Sequence, residues 1–282
     1  MINEDWLQSS LEIGGKSSFL DHSGTKIHYV TWGDSSNPVL FFVHGYAANT
    51  HWWDFIAPHF VEDFYVVAVD LSGMGDSEHR EFYSQDLYSD EILEICKELS
   101  INSINLVAHS MGGPISLNFA DQNPDLISRL ILIDSIIVMP PDKIRSGRSS
   151  MLRHDFYYDS LEEAIDQFRL IPPQPCKNEI LVRHIAKHSY VKLDEGYALK
   201  SDGMIMRTYQ HKDLTDALTN SNYPIYLVYG LMSQIFSQDI LDFTAYVANL
   251  SEDKIIGIPG GMHHLFIDEP LLFIEKLKNI LV

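Results

Sequence analysis

An α/β domain with a mostly parallel central sheet, covered by helices on both faces, is predicted from three features of this 282-residue chain. Apolar runs of strand length recur at 38–46, 64–70, 103–109, 129–135 and 224–230, and they are continuous rather than alternating. Continuous runs mark strands buried on both faces, as the strands of parallel sheets are. Segments of helical spacing fall between them, and strands alternating with helices build parallel sheets through right-handed crossovers. A hydrophobic content of 45 % is enough to fill the core that such a sheet needs.

Taken in order, SFLDHSGTKIHYVTW (18–32) reads as two short strands joined by a turn at Ser23-Gly24. PVLFFVHGY (38–46) is a buried central strand ending in His44-Gly45, and a helix is expected over 52–60. FYVVAVDLSGMGDSE (64–78) is a second buried strand, broken by a glycine-rich loop after Asp70. Residues 85–99 have helical spacing, with Leu87, Ile92, Ile95, Cys96 and Leu99 on one face. SINLVAHS forms the third strand, a helix over 111–121 follows it, and RLILIDS (129–135) is the fourth. Pro140-Pro141 then opens a long stretch without strand alternation, including the breaker PPQPC at 172–176. Strand rhythm returns at 224–230, and a helix near 238–248, a short strand at 254–258 and a closing helix over 268–281 finish the chain. The chain thus divides into a core of residues 1–135 and 216–282 and a mainly helical insert of residues 136–215. Such an insert is expected over the carboxyl ends of the strands, where open α/β sheets hold their sites.

Charge supports the same division. Residues 140–215 carry 12 Lys/Arg against 11 Asp/Glu, whereas the remainder carries 8 against 28, giving a net charge of −19 overall. So acidic a body argues against nucleic acid and anionic membrane surfaces as partners. No apolar run approaches the ~18 residues that span a bilayer. The stretch MINEDWLQSSLEIGG has neither a basic nor an apolar region, so no signal peptide is expected. Cys96 and Cys176 lie far apart without metal-type spacing, which fits two reduced thiols in a cytoplasmic protein. His184 and His188, at i,i+4, have a spacing that could ligate a metal from one helix face. No Glu follows the first of them as in H-E-x-x-H and the sequence indicates no third ligand, so neither a metal nor a cofactor is expected.

The chemistry centres on LVAHSMGG (106–113). An apolar strand ends in Ser110, with small residues two before (Ala108) and two after (Gly112), and a helix follows. This is the pattern of a nucleophile elbow, in which a strained strand-to-helix turn lifts a serine Oγ clear of the sheet. The same turn aims the Met111 N–H at the point where a carbonyl oxygen would become negative. His44-Gly45-Tyr46, at the end of the first central strand, can turn the Tyr46 N–H toward that point, making the pair of donors that acyl transfer needs. IPGGMHHLFIDEP (258–270) leaves the last strand through glycines and presents two adjacent histidines, His263 and His264, as candidate bases.

Together these segments resemble the α/β-hydrolase superfamily with a cap domain, over nearly the whole chain. HGYAANTHWWDFIAPHF is similar to the family's oxyanion strand-loop, with Trp53 and Pro58 at its usual Trp and Pro. DLSGMGDS matches its D-x-x-G-x-G-x-S loop through Asp70, Gly73, Gly75 and Ser77, VAHSMGG its elbow, and IPGGMHHLFIDEP its histidine loop. In that register His263 is the base, Asp268 takes the family's acidic place and Pro270 its proline. The resemblance implies an α/β-hydrolase fold and a serine nucleophile, whereas dehalogenases and epoxide hydrolases of similar design need aspartate at position 110. One departure matters. The family's usual acid stands three residues after the glycine ending the 224–230 strand, and here that residue is Ser233. Some relatives take the acid from the preceding strand end, which implies Asp134, with Asp239 as a reserve. The expected activity is hydrolysis of a small carboxylic ester by Ser110, His263 and Asp134, with Tyr46 and Met111 as oxyanion donors. The same residues would also suit a lactone, an amide or a C–C bond, and the serine at 233 would fit a degenerate hydrolase that only binds a small molecule.

Overall fold

The computed structural model describes residues 2–143 and 156–282, so residues 144–155 of the expected insert lie outside the described residues. Ten strands are described: β1 (Lys16–His22), β2 (Thr25–Trp32), β3 (Val39–Val43), β4 (Tyr65–Val69), β5 (Ile104–His109), β6 (Ile127–Ile133), β7 (Tyr190–Leu193), β8 (Gly196–Leu199), β9 (Ile225–Gly230) and β10 (Ile255–Ile258). Eight of them form one sheet in the order β1-β2-β4-β3-β5-β6-β9-β10. β1 and β2 pair antiparallel, β2 runs antiparallel to β4, and every other pair is parallel. The turn expected at Ser23-Gly24 joins β1 to β2, with both residues at positive φ (56° and 79°), as a tight hairpin turn requires.

Every residue of β3, β4 and β5 is buried, as their continuous apolar runs demand. Side chains alternate across the sheet. Phe41 and Val43 enter a core shared with α2 (Gln85–Glu98) and α3 (Gly112–Gln122), while Leu40 and Phe42 enter a core shared with α10 (Pro270–Leu281). On α2 the predicted apolar face buries Ile92, Ile95 and Cys96. α1 (Glu4–Leu11), α8 (Gln238–Val247) and the short α9 (Leu265–Asp268) complete the covering of this body.

Two expectations change. The helix predicted over 52–60 is instead two 3-10 turns, Thr50–Trp52 and Ala57–Phe60. Asn49 caps the first turn by accepting the His51 N–H, and Pro58, which has no N–H to give, sits at the start of the second. The second change lies in the insert. It holds α4 (Leu161–Gln167), α5 (Glu179–His188), α6 (Met204–Thr208) and the start of α7 (Thr215–Thr219), but it also contains the β7–β8 hairpin. Its strands of four residues leave Val191 and Leu193 exposed, so no buried apolar run announced them. The described part of the expected insert is tied to the loop after β4 and to α9. The Gly75 N–H donates to the Lys200 carbonyl and the Asp202 N–H to the Gly73 carbonyl, while the Asn178 amide donates to the carbonyls of Ile267 and Asp268.

Trp53 is fully buried, stacked on Phe42 at 4.7 Å between centroids and tilted against Phe266 at 4.7 Å. Trp53→Ala should therefore cost about 3–5 kcal/mol of unfolding free energy, a range typical of emptied aromatic core positions. Urea titration followed by far-UV circular dichroism measures it, and a loss under about 1 kcal/mol, as at a surface site, would contradict this packing.

Candidate active site

β5 delivers Ser110 to a strand-to-helix turn in which the serine takes φ +54°. A non-glycine residue there is strained, and the neighbours over-determine it. The Ser110 N–H donates to the Ile133 carbonyl, and the Gly113 N–H donates back to the Ser110 carbonyl. Small residues are enforced by contact rather than by flexibility. A Cβ on Gly112 would lie 2.7 Å from the His44 carbonyl oxygen, and one on Gly113 would lie 2.4 Å from the Ser135 Cβ.

Three predicted residues meet here. Ser110 Oγ lies 2.9 Å from His263 Nε2, and His263 Nδ1 lies 2.8 Å from Asp134 Oδ1. Ser110 is half-buried, while His263 and Asp134 are 4 % and 1 % exposed, so only the serine end of the relay meets solvent. Asp134 follows β6 at φ +44°, a conformation that aspartate tolerates better than most residues, and its N–H donates to the Val228 carbonyl of β9.

Ser233 is not idle. Its hydroxyl donates to Asp134 Oδ1 at 2.7 Å, while the Gly230 N–H donates to Oδ2 at 3.1 Å. Ser233 Oγ in turn accepts the N–H groups of Ile235 and Phe236, which fixes its orientation. The carboxylate is thus supplied from one strand end and held by the neighbouring one. Asp239, the reserve acid, lies on α8, exposed and paired with Lys143.

The adjacent histidines separate cleanly. His264 is buried, its Nδ1 3.0 Å from Gln174 Oε1, an oxygen that also accepts the His264 N–H. The Gln174 amide donates to both oxygens of Asp268, and Asp268 Oδ2 accepts the Met262 N–H. Asp268, in the family's acidic place, therefore holds the histidine loop, and burial pushes its carboxyl above the usual carboxylate range. His109 packs against the His263 ring and its Nε2 donates to the His263 carbonyl at 3.0 Å. Burial, then the neighbouring histidines, keeps His109 and His264 far below the ordinary imidazole range, so both are neutral.

Sequence reading placed His44 at a strand end but did not reveal the role of its side chain. Its Nε2 accepts the Leu71 N–H, so Nδ1 carries the proton and donates to the Gly45 carbonyl at 2.7 Å. Burial lowers its pKa and keeps that tautomer neutral. The Gly45 carbonyl also accepts the Ala48 N–H, and because the peptide is planar and trans, the Tyr46 N–H must point the opposite way. Gly45 itself packs on the elbow, where a Cβ would stand 3.0 Å from the Ser110 Cβ. Met111, at the N-terminus of α3, belongs to the turn whose N–H groups have no acceptor within the helix. Asp70 steadies the same loop by accepting the N–H groups of Thr50 and Asp76 and a bond from His28 Nδ1. Burial alone would raise its pKa, but these bonds, the His28 bond first, bring it below the usual value.

His184 and His188, weighed from sequence as a metal pair without a third ligand, do not stand alone. The fold brings two further ligand types to them, His51 and Asp54, from the 3-10 turn after β3 and the residues following it.

Residues 38–153 match the sequence model of the alpha/beta hydrolase fold. The chain is similar to a soluble epoxide hydrolase of Corynebacterium sp. (strain C12), 31 % identical over 48 % of this chain and 48 % of that protein. It is also similar to the esterase Rv0045c of Mycobacterium tuberculosis, 27 % identical over 90 % of this chain and 86 % of that protein. The crystal structure of that esterase superposes with a TM-score of 0.76 at 23 % identity, covering 100 % of this chain and 99 % of the other. The matches to epoxide hydrolases span about half the length of those relatives or less. These comparisons and the sheet order show the α/β-hydrolase fold, and residues 38–153, which carry Ser110 and Asp134, resemble the family's sequence model. Among the described residues no helix is long and apolar enough to cross a membrane.

A proton held between His263 Nδ1 and Asp134 should appear as an NMR resonance at unusually low field. Asp134→Asn should remove that resonance, while Ser233→Ala should shift it and leave it present; its survival in Asp134→Asn would break the assignment of the hydrogen-bond chain.

Proposed function

We propose that the protein is a serine hydrolase that cleaves a small carboxylic ester through an acyl-enzyme. The observation that carries this reading is the continuous hydrogen-bond chain from Ser110 Oγ through both ring nitrogens of His263 to Asp134. His263 Nε2 takes the Ser110 proton as Oγ attacks the ester carbonyl carbon. The carbonyl oxygen becomes negative and is held by the N–H groups of Tyr46 and Met111. His263 then gives its proton to the departing alkoxide, the carbon–oxygen bond breaks, and the acyl group stays on Ser110. Water, deprotonated by the same nitrogen, attacks that acyl ester and releases the acid. Asp134 fixes the ring tautomer and stabilises the imidazolium formed in both steps.

Substrate size is favoured by a cavity of about 370 Å³ that includes Tyr46, Trp52, Phe168, Leu170, Tyr190 and Leu199. Its lining, from the loop after β3 and from the insert, combines aromatic and aliphatic groups with Gln167 and Arg169, which suits one modest, mainly apolar substituent. In this reading the insert of residues 136–215 is the cap that sets specificity. The esterase relative supports ester cleavage. The epoxide hydrolase relatives do not extend their chemistry to this chain, because a serine that opened an epoxide would form an ether that water does not release. The bond from Ser233 to Asp134 favours a working acid over the degenerate binding protein, since a binding module needs no such support. The site requires no cofactor in this scheme, and with both cysteines free the protein is assigned to the cytoplasm, acting on a small molecule rather than on nucleic acid or membrane.

A small fluorophosphonate should label Ser110 alone, as read by peptide mass mapping, and labelling should vanish in His263→Ala. Unlabelled native protein would overturn the proposal. Against a short-chain ester, Ser110→Ala should lower kcat by roughly 10³-fold or more. Asp134→Asn should lower kcat by a comparable order, because it leaves His263 with the wrong tautomer. Ser233→Ala removes one of three donors to the carboxylate and should cost far less; the reverse ranking would move the acid away from Asp134.

A further inference from the structure

Two parts of the chain far apart in sequence meet at a second cluster of ionisable side chains, distinct from Ser110, His263 and Asp134. His51 lies in the first 3-10 turn after β3 and Asp54 three residues on, while His184 and His188 stand one turn apart on α5. Asp54 Oδ2 is 2.8 Å from His51 Nδ1 and 2.9 Å from His184 Nε2. The His51 and His188 rings stack with centroids 3.8 Å apart, and the His184 and His188 centroids are 4.9 Å apart. One donor atom from each of the four residues lies within 4.8 Å of the other three.

We propose that His51, Asp54, His184 and His188 form a binding site for one first-row divalent transition-metal ion of the Zn²⁺ class, joining the loop after β3 to helix α5. Three imidazoles and one carboxylate make a donor set that suits Zn²⁺, Co²⁺ or Ni²⁺, whereas Ca²⁺ and Mg²⁺ take oxygen ligands. Bonds of about 2.0–2.1 Å in a tetrahedron place donors roughly 3.3–3.4 Å apart. The two shortest separations here must open slightly and the widest must close, which side-chain rotation can do. Both rings now give a proton to the same Asp54 oxygen. Metal binding replaces those two hydrogen bonds, with each ring binding through its lone pair and any displaced proton passing to the other ring nitrogen or to solvent.

Access and charge favour such an ion. The four residues are half-buried, and His51 and Asp54 form part of a cavity of about 330 Å³ that also includes His28 and Asp76. A chain of net charge −19 draws cations toward such an opening. The placement gives the ion a structural effect as well. Its ligands come from the segment that continues the Tyr46 loop and from the insert, so occupancy would pin the insert to the body beside Asn49, whose side chain already bonds Ser189.

Titration calorimetry of chelator-treated full-length protein with Zn²⁺ tests this, with Co²⁺ as a spectroscopic probe. The expected result is one equivalent bound, a d–d absorption spectrum of intensity typical of four-coordinate cobalt, and a Tm that rises with Zn²⁺ concentration. His51→Ala, Asp54→Ala and His188→Ala should each weaken binding by more than the roughly 10–100-fold that loss of an outer partner costs. His79→Ala, at an exposed histidine outside the cluster, should leave it unchanged. His188→Gln is the variant to use if an alanine fails to fold, as circular dichroism would show. Absence of binding by the native protein, or binding unaltered by folded variants of the cluster, overturns the proposal and leaves the four residues as a hydrogen-bonded strut. These readouts do not depend on ester cleavage, so they stand or fall separately from the proposed activity.

Discussion

The geometry around Ser110 depends on one buried carboxylate. Asp134 ends β6, and its two oxygens accept from the His263 ring, the Ser233 hydroxyl and the Gly230 N–H. An unpaired charge in that position would be costly, and three donors from two other parts of the chain remove the cost. In doing so they fix the spacing between the ends of β6, β9 and the loop after β10. The histidine is thereby locked in the orientation that turns its second nitrogen to Ser110. The strain at Asp134 and at Ser110, both at positive φ, is tolerated because these hydrogen bonds and the glycine contacts leave no relaxed alternative.

Much of this was legible in the sequence because it rests on local pattern. Continuous apolar runs located β3, β4, β5, β6 and β9, and small residues on either side of Ser110 located the elbow. With serine at 233, the strand end at Asp134 is the alternative source of a carboxylate, and the structure adds that the Ser233 hydroxyl donates to that carboxylate. What sequence could not supply were contacts between distant segments and elements without apolar periodicity. The role of His44 follows from a bond to the loop after β4, the separation of His263 from His264 follows from Gln174 in the insert, and the β7–β8 hairpin buries too little to leave a pattern. The same limit hid the meeting of His51 and Asp54 with His184 and His188, which are 130 or more positions away.

Those long-range bonds also tie the insert to the chemistry. Gln174 bridges His264 and Asp268 and so shapes the loop that carries His263. Asn178 satisfies two carbonyls at the end of α9, and Asn49 reaches Ser189. The segment that lines the cavity is therefore bonded to both the histidine loop and the loop after β3. A change in its packing would be felt at His263 and Tyr46 as well as in the cavity, which in the proposed reaction links specificity to catalytic geometry.

The proposed reaction requires the His263 ring to take a proton in a closed place, and the surroundings of the ring bear on that step. Four histidine side chains are concentrated there, and if several were charged the imidazolium would be repelled. Burial keeps His44, His109 and His264 on the neutral side; His44 Nδ1 and His109 Nε2 donate to backbone carbonyls, and His264 Nδ1 pairs with the Gln174 amide oxygen. The carboxyl group that faces the His263 ring is that of Asp134, at hydrogen-bond distance and almost fully buried. At such range and in such a medium, attraction between imidazolium and carboxylate is far stronger than in water. In the proposed reaction, neutral neighbours, a single paired carboxylate and a half-exposed hydroxyl together let a proton leave Ser110 when its oxygen attacks and pass to the departing alkoxide. Ser110 is reprotonated only when water releases the acyl group.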